Sequence, residues 1–115
     1  MATTLVVNAS PYGTETPYNA LRLAGAIALH DEYLELFLLG DGVHLARSGQ
    51  DPREAHASLE AMLRDLLARG VTVTACGTCC QARGLAAGDL VEGVAVGTIH
   101  DLAALVARSD RTLTF

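Results

Sequence analysis

Short, uninterrupted aliphatic runs alternate along the chain with longer stretches in which apolar residues recur every three or four positions. The short runs are rich in Val, Leu and Thr, which predicts strands, and the longer stretches have the period of helices. Near-continuous aliphatic strands that alternate with helices are typical of a parallel sheet covered by helices on both faces. The pattern therefore predicts an α/β fold with strands at residues 4–8, 33–39, 71–75, 93–97 and 111–115.

Local signals predict where the first and last helices begin. The first helix is expected over residues 17–30, with Thr16 as its cap and Pro17 in its first position. The last helix is expected at about residues 99–108, because "TIHD" resembles a capping box just before an apolar stretch.

The middle helix is predicted to begin at "DPRE". Asp51 is expected to cap it, Pro52 to be its first residue, and Glu54 to complete a capping box. Gly70 is expected to end it. Its apolar stripe consists of Leu59, Met62, Leu63, Leu66 and Leu67.

Three polar loops follow predicted strands: "ASPYGTETP", "GDGVHLARSGQ" and "CGTCCQARG". The carboxyl ends of parallel strands meet at one edge of a sheet, where ligands and chemistry collect. The first loop precedes a helix, as phosphate-binding loops do, but it lacks both G-x-x-x-x-G-K-[ST] and G-x-G-x-x-G. It is either a weak ligand-binding loop or simply a turn. Asp41, in the second loop, either lines the crevice or stabilises a turn.

Composition and charge narrow the classes of function. A chain of 115 residues has the usual size of a single domain, residues 1–115. Half of the residues are apolar and 18% are charged, which favours an oligomer that buries part of the surface. The net charge of −5, with eight arginines and no lysine, argues against nucleic acid as a partner. The N-terminus has no basic region and no apolar run is long enough to span a membrane, so we expect a cytoplasmic protein without membrane contact.

All three cysteines lie within five residues, Cys76 to Cys80, directly after the third predicted strand. In the reducing cytosol such a cluster indicates catalysis, redox chemistry or metal binding, although free cysteines are also common in cores. Gly77 allows a tight turn, and a helix over residues 78–84 would point its amides at the Cys76 sulfur. These amides and the guanidinium of Arg83 are expected to lower the pKa of Cys76.

Four functions are compatible with this cluster. A sulfur carrier needs one nucleophilic cysteine. A dithiol oxidoreductase would use "CGTC", which has thioredoxin-type spacing but lies late in the chain. A zinc site prefers four ligands, and the sequence has no second cysteine pair and only scattered histidines. A small-ligand-binding module would rely on the loop after the first strand.

The blocks "SPYGTETPYNALRLAGAI", "LLGDGV", "ACGTCCQARGL" and "DRTLTF", in this order, resemble the DsrE/DsrF-like, TusD-related sulfurtransferase family over essentially the full length. The resemblance implies a three-layer α/β/α sandwich with a five-stranded parallel sheet, and subunits that form oligomers, here a homo-trimer or hexamer. It also implies a cysteine that carries persulfide sulfur between donor and acceptor proteins. Cys76 matches the family's carrier position; Cys79 and Cys80 are additional.

These arguments predict a sulfur-transfer site that needs no organic cofactor and no metal. The alternative is a redox switch that uses the Cys76 and Cys79 pair. The expected catalytic residues are Cys76, Cys79, Cys80 and Arg83. The residues expected to shape the substrate pocket are Tyr12, Gly13, Thr14, Asp41, Gly77 and Thr78.

Overall fold

The structure, a computed structural model, describes residues 1–30, 33–53 and 57–115. Within these residues one sheet forms, in which every neighbouring pair of strands is parallel. The order across the sheet is β4-β3-β2-β1-β5, which confirms the predicted five-stranded parallel sheet. The strands are β1 (Ala2–Val7), β2 (Tyr33–Leu38), β3 (Thr72–Cys76), β4 (Ala95–Gly97) and β5 (Arg111–Thr114).

The two faces of the sheet carry different side chains. In the observed register Leu5, Leu36 and Val73 are aligned across the three central strands, and all three are buried. Alternation along each strand places Thr4 and Glu35 on the opposite face. Both of these polar residues are also buried, so helices must cover both faces.

Helices connect the strands in the expected alternation. They are α1 (Thr16–Ala28), α2 (Leu59–Ala68), α3 (Gly77–Ala82) and α4 (Ile99–Arg108), with short 3-10 helices at Gly40–Ala46 and Ala87–Asp89.

The strand order determines on which face of the sheet each helix lies. The first three crossovers step in one direction across the sheet, from β1 to β4, whereas the last returns to pair β5 with β1. Because such crossovers are right-handed, α1 and α2 lie on one face and α4 lies on the other. In agreement, α1 contacts α2, and Ser109 at the end of α4 hydrogen-bonds the Thr4 hydroxyl on the opposite face. The three-layer α/β/α sandwich is therefore confirmed.

Two of the predicted helix starts are wrong. Thr16 is the first residue of α1 rather than its cap, and Glu15 in the cap position makes no side-chain capping bond. The helix predicted from Asp51 begins instead at Leu59, where the Ser58 side chain accepts the Ala61 amide at 3.2 Å.

Asp51 pairs with a neighbouring arginine and does not cap α2. The Asp51 carboxylate forms an ion pair with the exposed guanidinium of Arg53 at 2.9 Å. The preceding residue, Gln50, donates its backbone amide to the side chain of Glu60 in the first turn of α2. Glu54 lies outside the described residues. The capping box of α4 is confirmed: Thr98 accepts the Asp101 amide and Asp101 accepts the Thr98 amide.

Candidate functional site

The strand that ends at Cys76 passes directly into α3, without an intervening loop. Cys76 keeps an extended conformation and is the N-cap residue of α3, and its sulfur accepts the Cys79 amide at 3.4 Å. Gly77, the first helical residue, lies so close to β4 that an added Cβ would sit 3.0 Å from the Val96 side chain. This sharp strand-to-helix turn buries Cys76, which is only 4% exposed.

Cys79 is the more accessible thiol of the pair, being only partly buried. Its sulfur accepts the backbone amide of Gly40 at 3.2 Å. Because β2 pairs with β3, the turn that follows β2 lies beside the cysteine loop. Gly40 was not among the predicted site residues. The "GDG" turn that contains it was recognised in the sequence, but the contact between its amide and the Cys79 sulfur depends on the pairing of β2 with β3.

The hydrogen bonds of Arg83 go to Asp41 and to the Cys79 carbonyl, not to Cys76. Its guanidinium binds the Asp41 carboxylate, with Nε and Nη2 at 3.0 and 2.9 Å from Oδ1, and donates through Nη1 to the Cys79 carbonyl at 3.1 Å. Arg83 therefore fastens α3 to the turn after β2, immediately beside the contact between Gly40 and Cys79.

Burial dominates the acidity of the buried thiols. It raises the pKa of Cys76 above the ordinary thiol value, and the neighbouring Cys79 side chain raises it further. The amides of Thr78 and Cys79 act in the opposite direction but are weaker. Burial likewise raises the pKa of Cys80. The expectation of a lowered pKa at Cys76 is therefore wrong, because desolvation of the thiolate outweighs the two amides and Arg83 is engaged elsewhere.

The raised pKa predicts that iodoacetamide modifies Cys76 only at alkaline pH. A thiol of raised pKa stays protonated where a free cysteine has ionised, so the alkylation rate should rise through a midpoint above about 8.5. Timed alkylation across a pH series, followed by peptide mapping, measures this midpoint. The same chain in denaturant supplies the reference, and a folded-state midpoint at or below that reference would contradict the dominance of burial.

The loop after β1 forms a different groove. Tyr12, in a left-handed conformation with φ of 62°, donates its hydroxyl to Gln50 at 2.7 Å and accepts the Leu59 amide at 3.2 Å. It thereby ties this loop to the start of α2. Among the described residues, the lining of this groove of about 330 Å³ contains no cysteine: it consists of Tyr12, Gly13, Thr14, Glu15, Tyr18, Ala57 and Leu59.

The structure thus divides the predicted site residues into two sets. Asp41, Gly77 and Thr78 lie around Cys76 and Cys79, whereas Tyr12, Gly13 and Thr14 line the separate groove. Cys80 is buried and lines a third groove of about 450 Å³ beside β4, with Leu85, Leu90 and Val96 among its walls.

The three cysteines are free thiols. In the part of the chain that the structure describes, no group of three or more His, Cys, Asp or Glu residues is arranged to hold a metal ion. No helix within the same ranges combines the length and the apolar character needed to cross a bilayer.

Fold and site together define a class: a three-layer α/β protein whose thiols lie at the carboxyl edge of a parallel sheet. The model of the DsrE/DsrF-like family matches residues 1–115, so the chain belongs to this family, which is related to sulfur relays. The similarity in sequence thus confirms the family resemblance noted from the motifs.

Relatives of this chain occur in archaea and bacteria. Uncharacterized protein MJ0989 of Methanocaldococcus jannaschii is 42% identical over 115 residues and covers both chains completely. Protein YchN of Escherichia coli is 39% identical over 113 residues, which are 96% of each chain. The crystal structure of the ychN protein from E. coli superposes with a TM-score of 0.94 at 38% identity, covering 100% of this chain and 99% of that one.

A more distant structure shares the fold alone. Protein of unknown function MTH1491 from Methanobacterium thermoautotrophicum matches with a TM-score of 0.73 at 16% identity, covering 99% of this chain and 97% of that chain. The architecture is therefore retained where most of the sequence differs.

Proposed function

We propose that this chain is a small cytoplasmic sulfur-transfer protein that carries sulfur as a persulfide on Cys76. The observation that carries the proposal is the position of the Cys76 sulfur. It lies at the carboxyl end of β3, accepts the Cys79 backbone amide at 3.4 Å, and stands three residues before a second thiol at the start of the same helix. Membership of a family related to sulfur relays supports the same chemistry.

The transfer itself needs only thiol chemistry. Cys76 releases its proton and attacks the outer sulfur of a donor persulfide; the S–S bond of the donor breaks, a new S–S bond forms on Cys76, and the donor leaves as a thiolate that takes up the released proton. The reverse reaction with an acceptor thiol discharges the sulfur. The exchange involves no net oxidation, and its result is the transfer of one sulfur atom from the donor to the acceptor. The amides of Thr78 and Cys79 support the anionic persulfide, and Cys79 is the auxiliary thiol.

A dithiol oxidoreductase is the second candidate. It is favoured by one observation, the placement of Cys76 and Cys79 as a C-x-x-C pair at the start of α3, where the Cys79 amide reaches the Cys76 sulfur. In this function the pair would cycle between dithiol and disulfide by exchange with a partner.

Intact-protein mass spectrometry separates the two functions. The protein is incubated with a persulfide donor, desalted, and measured with and without reductant. A gain of one sulfur that reductant removes is the expected result. A wild-type protein that loses two hydrogens without releasing sulfide, together with a Cys79→Ser variant that never gains sulfur, would establish the oxidoreductase instead.

Homo-oligomerisation, as a trimer or a hexamer, is part of the proposal, and the number comes from the family resemblance. Large apolar side chains remain exposed on the single chain, including Tyr33, Val96, Ile99 and Val106. Exposed apolar surface of this kind is commonly covered by a neighbouring subunit. Light scattering coupled to size-exclusion chromatography should give a multiple of three chains; a monomer at working concentration would remove this claim.

A further inference from the structure

We infer that the site has a second outcome besides transfer: Cys79 discharges the Cys76 persulfide as hydrogen sulfide and leaves a Cys76–Cys79 disulfide. This inference rests on the proposed function, because it begins from a sulfur-loaded Cys76. It adds an activity, the reductive release of sulfide, which a single-thiol carrier cannot perform.

The two thiols are placed for direct reaction. Cys79 donates its backbone amide to the Cys76 sulfur at 3.4 Å, and its side chain is one of the groups that raise the pKa of Cys76. They form a C-x-x-C pair, with Cys76 as the N-cap residue of α3 and Cys79 in its first turn, so both thiols lie at the same end of one helix.

The Gly40 amide fixes the position of the Cys79 sulfur, which is the attacking atom of this step. Here the Gly40 amide reaches the Cys79 sulfur at 3.2 Å. The charged side chains at this contact, Asp41 and Arg83, neutralise each other in an ion pair. Cys79 is also the less buried of the two thiols, so its proton can pass to solvent when the sulfur attacks.

The choice between the two sulfurs of the persulfide depends on the leaving group. Attack on the outer sulfur would expel the Cys76 thiolate, and attack on the inner sulfur expels hydrosulfide. A thiol of lower pKa leaves faster. For Cys79 the inner sulfur is also the nearer target, because it is the Cys76 sulfur that the Cys79 amide contacts at 3.4 Å. Burial raises the pKa of Cys76 and makes its thiolate the poorer leaving group, so attack by Cys79 at the inner sulfur is favoured.

The step is balanced in atoms and electrons. The Cys79 thiolate forms a bond to the Cys76 sulfur, the bond between that sulfur and the outer sulfur breaks, and the outer sulfur departs as hydrosulfide with its proton. The two cysteines lose two electrons in total, and the sulfane sulfur gains them. A further turnover requires a dithiol, a protein or a small molecule, to reduce the disulfide.

Arg83 acts in this step as a positioning residue. It binds Asp41, the residue after Gly40, and also the carbonyl of Cys79. Its guanidinium therefore holds together the two backbone segments whose contact places the Gly40 amide on the Cys79 sulfur. Loss of Arg83 should loosen this contact without removing either thiol.

A single-turnover experiment tests the inference. The reduced protein is loaded with inorganic polysulfide, rapidly desalted, and followed by trapping of free sulfide and by intact mass without reductant. We expect the wild-type protein to release one sulfide for each disulfide formed. Cys79→Ser should retain the added sulfur and release none, whereas Cys80→Ser, the matched cysteine control, should release sulfide.

Variants of Arg83 test the positioning role. Arg83→Ala should slow sulfide release several-fold and Arg83→Lys should restore part of the rate, while Arg64→Ala, which breaks an ion pair on α2, should not slow it.

Persistent loading of the wild-type protein without sulfide or disulfide would overturn the inference and leave the carrier intact. Blocked release in Cys80→Ser but not in Cys79→Ser would also overturn it. If neither the wild type nor Cys79→Ser gains sulfur, the proposed function itself fails.

Discussion

Replacement of Cys76 by serine is expected to abolish stable sulfur loading while leaving the fold intact. A serine hydroxyl stays protonated at neutral pH and forms no persulfide, so the mass gain seen with the wild-type protein should fall to background. Serine is nevertheless a good N-cap residue, and its oxygen can accept the Cys79 amide in place of the Cys76 sulfur. Intact mass after exposure to polysulfide measures loading, and circular dichroism verifies the fold.

The other cysteines provide the contrast. Cys79→Ser should still gain sulfur at Cys76 and, because no neighbouring thiol then discharges it, should hold it longer. Cys80 lies near both thiols and lines the groove beside β4, but its sulfur takes no part in the hydrogen bonds that join Cys76, Cys79 and Gly40, so Cys80→Ser is a control for the loss of one thiol. If Cys76→Ser loads at the normal level and Cys79→Ser does not, the persulfide belongs on Cys79 and the assignment of the carrier is wrong.

The parts of the fold that depend on neighbouring residues were predictable from the sequence. The β-branched run before Cys76 forms β3, and the Thr98 and Asp101 capping box starts α4 where predicted. Both signals act over a few residues, so a single sequence contains them. The prediction for the start of α2 was wrong because the sequence contains two candidate caps, Asp51 and Ser58. "DPRE" has the favoured residue types, but Ser58 provides the capping bond that is actually formed.

The partners within the site depend on contacts that the sequence does not record. Arg83 and Asp41 are 42 positions apart, and they meet only because β2 and β3 are neighbours in the sheet. The same strand order brings the Gly40 amide to Cys79, and it leaves Tyr12 in a different groove at the start of α2. Burial of Cys76 is likewise a property of the assembled layers. Its raised pKa could therefore not be read from the cysteine motif, whose amides alone suggest the opposite shift.

The close approach of the turn after β2 to the end of β1 predicts a large effect of Gly42→Ala. An added Cβ at this buried glycine would lie 2.0 Å from the Val7 carbonyl oxygen and 2.8 Å from its carbon. Neither atom can move freely, because the Val7 carbonyl also accepts the Leu39 amide at 3.0 Å. We expect the free energy of unfolding to fall by about 3 kcal/mol, at the upper end of what overpacking usually costs.

Urea unfolding of Gly42→Ala and of Gly88→Ala measures this difference. Gly88 is the matched control, because an added Cβ there would meet nothing within 4 Å, and its substitution should change the unfolding free energy by less than about 0.5 kcal/mol. Equal stability of the two variants would show that the turn yields without cost.

If Gly42→Ala folds but is destabilised, the displaced turn also carries Gly40 away from the Cys79 sulfur. Sulfide release should then slow in this variant even under conditions where it is fully folded, which links the packing of this turn to the chemistry of the cysteine pair.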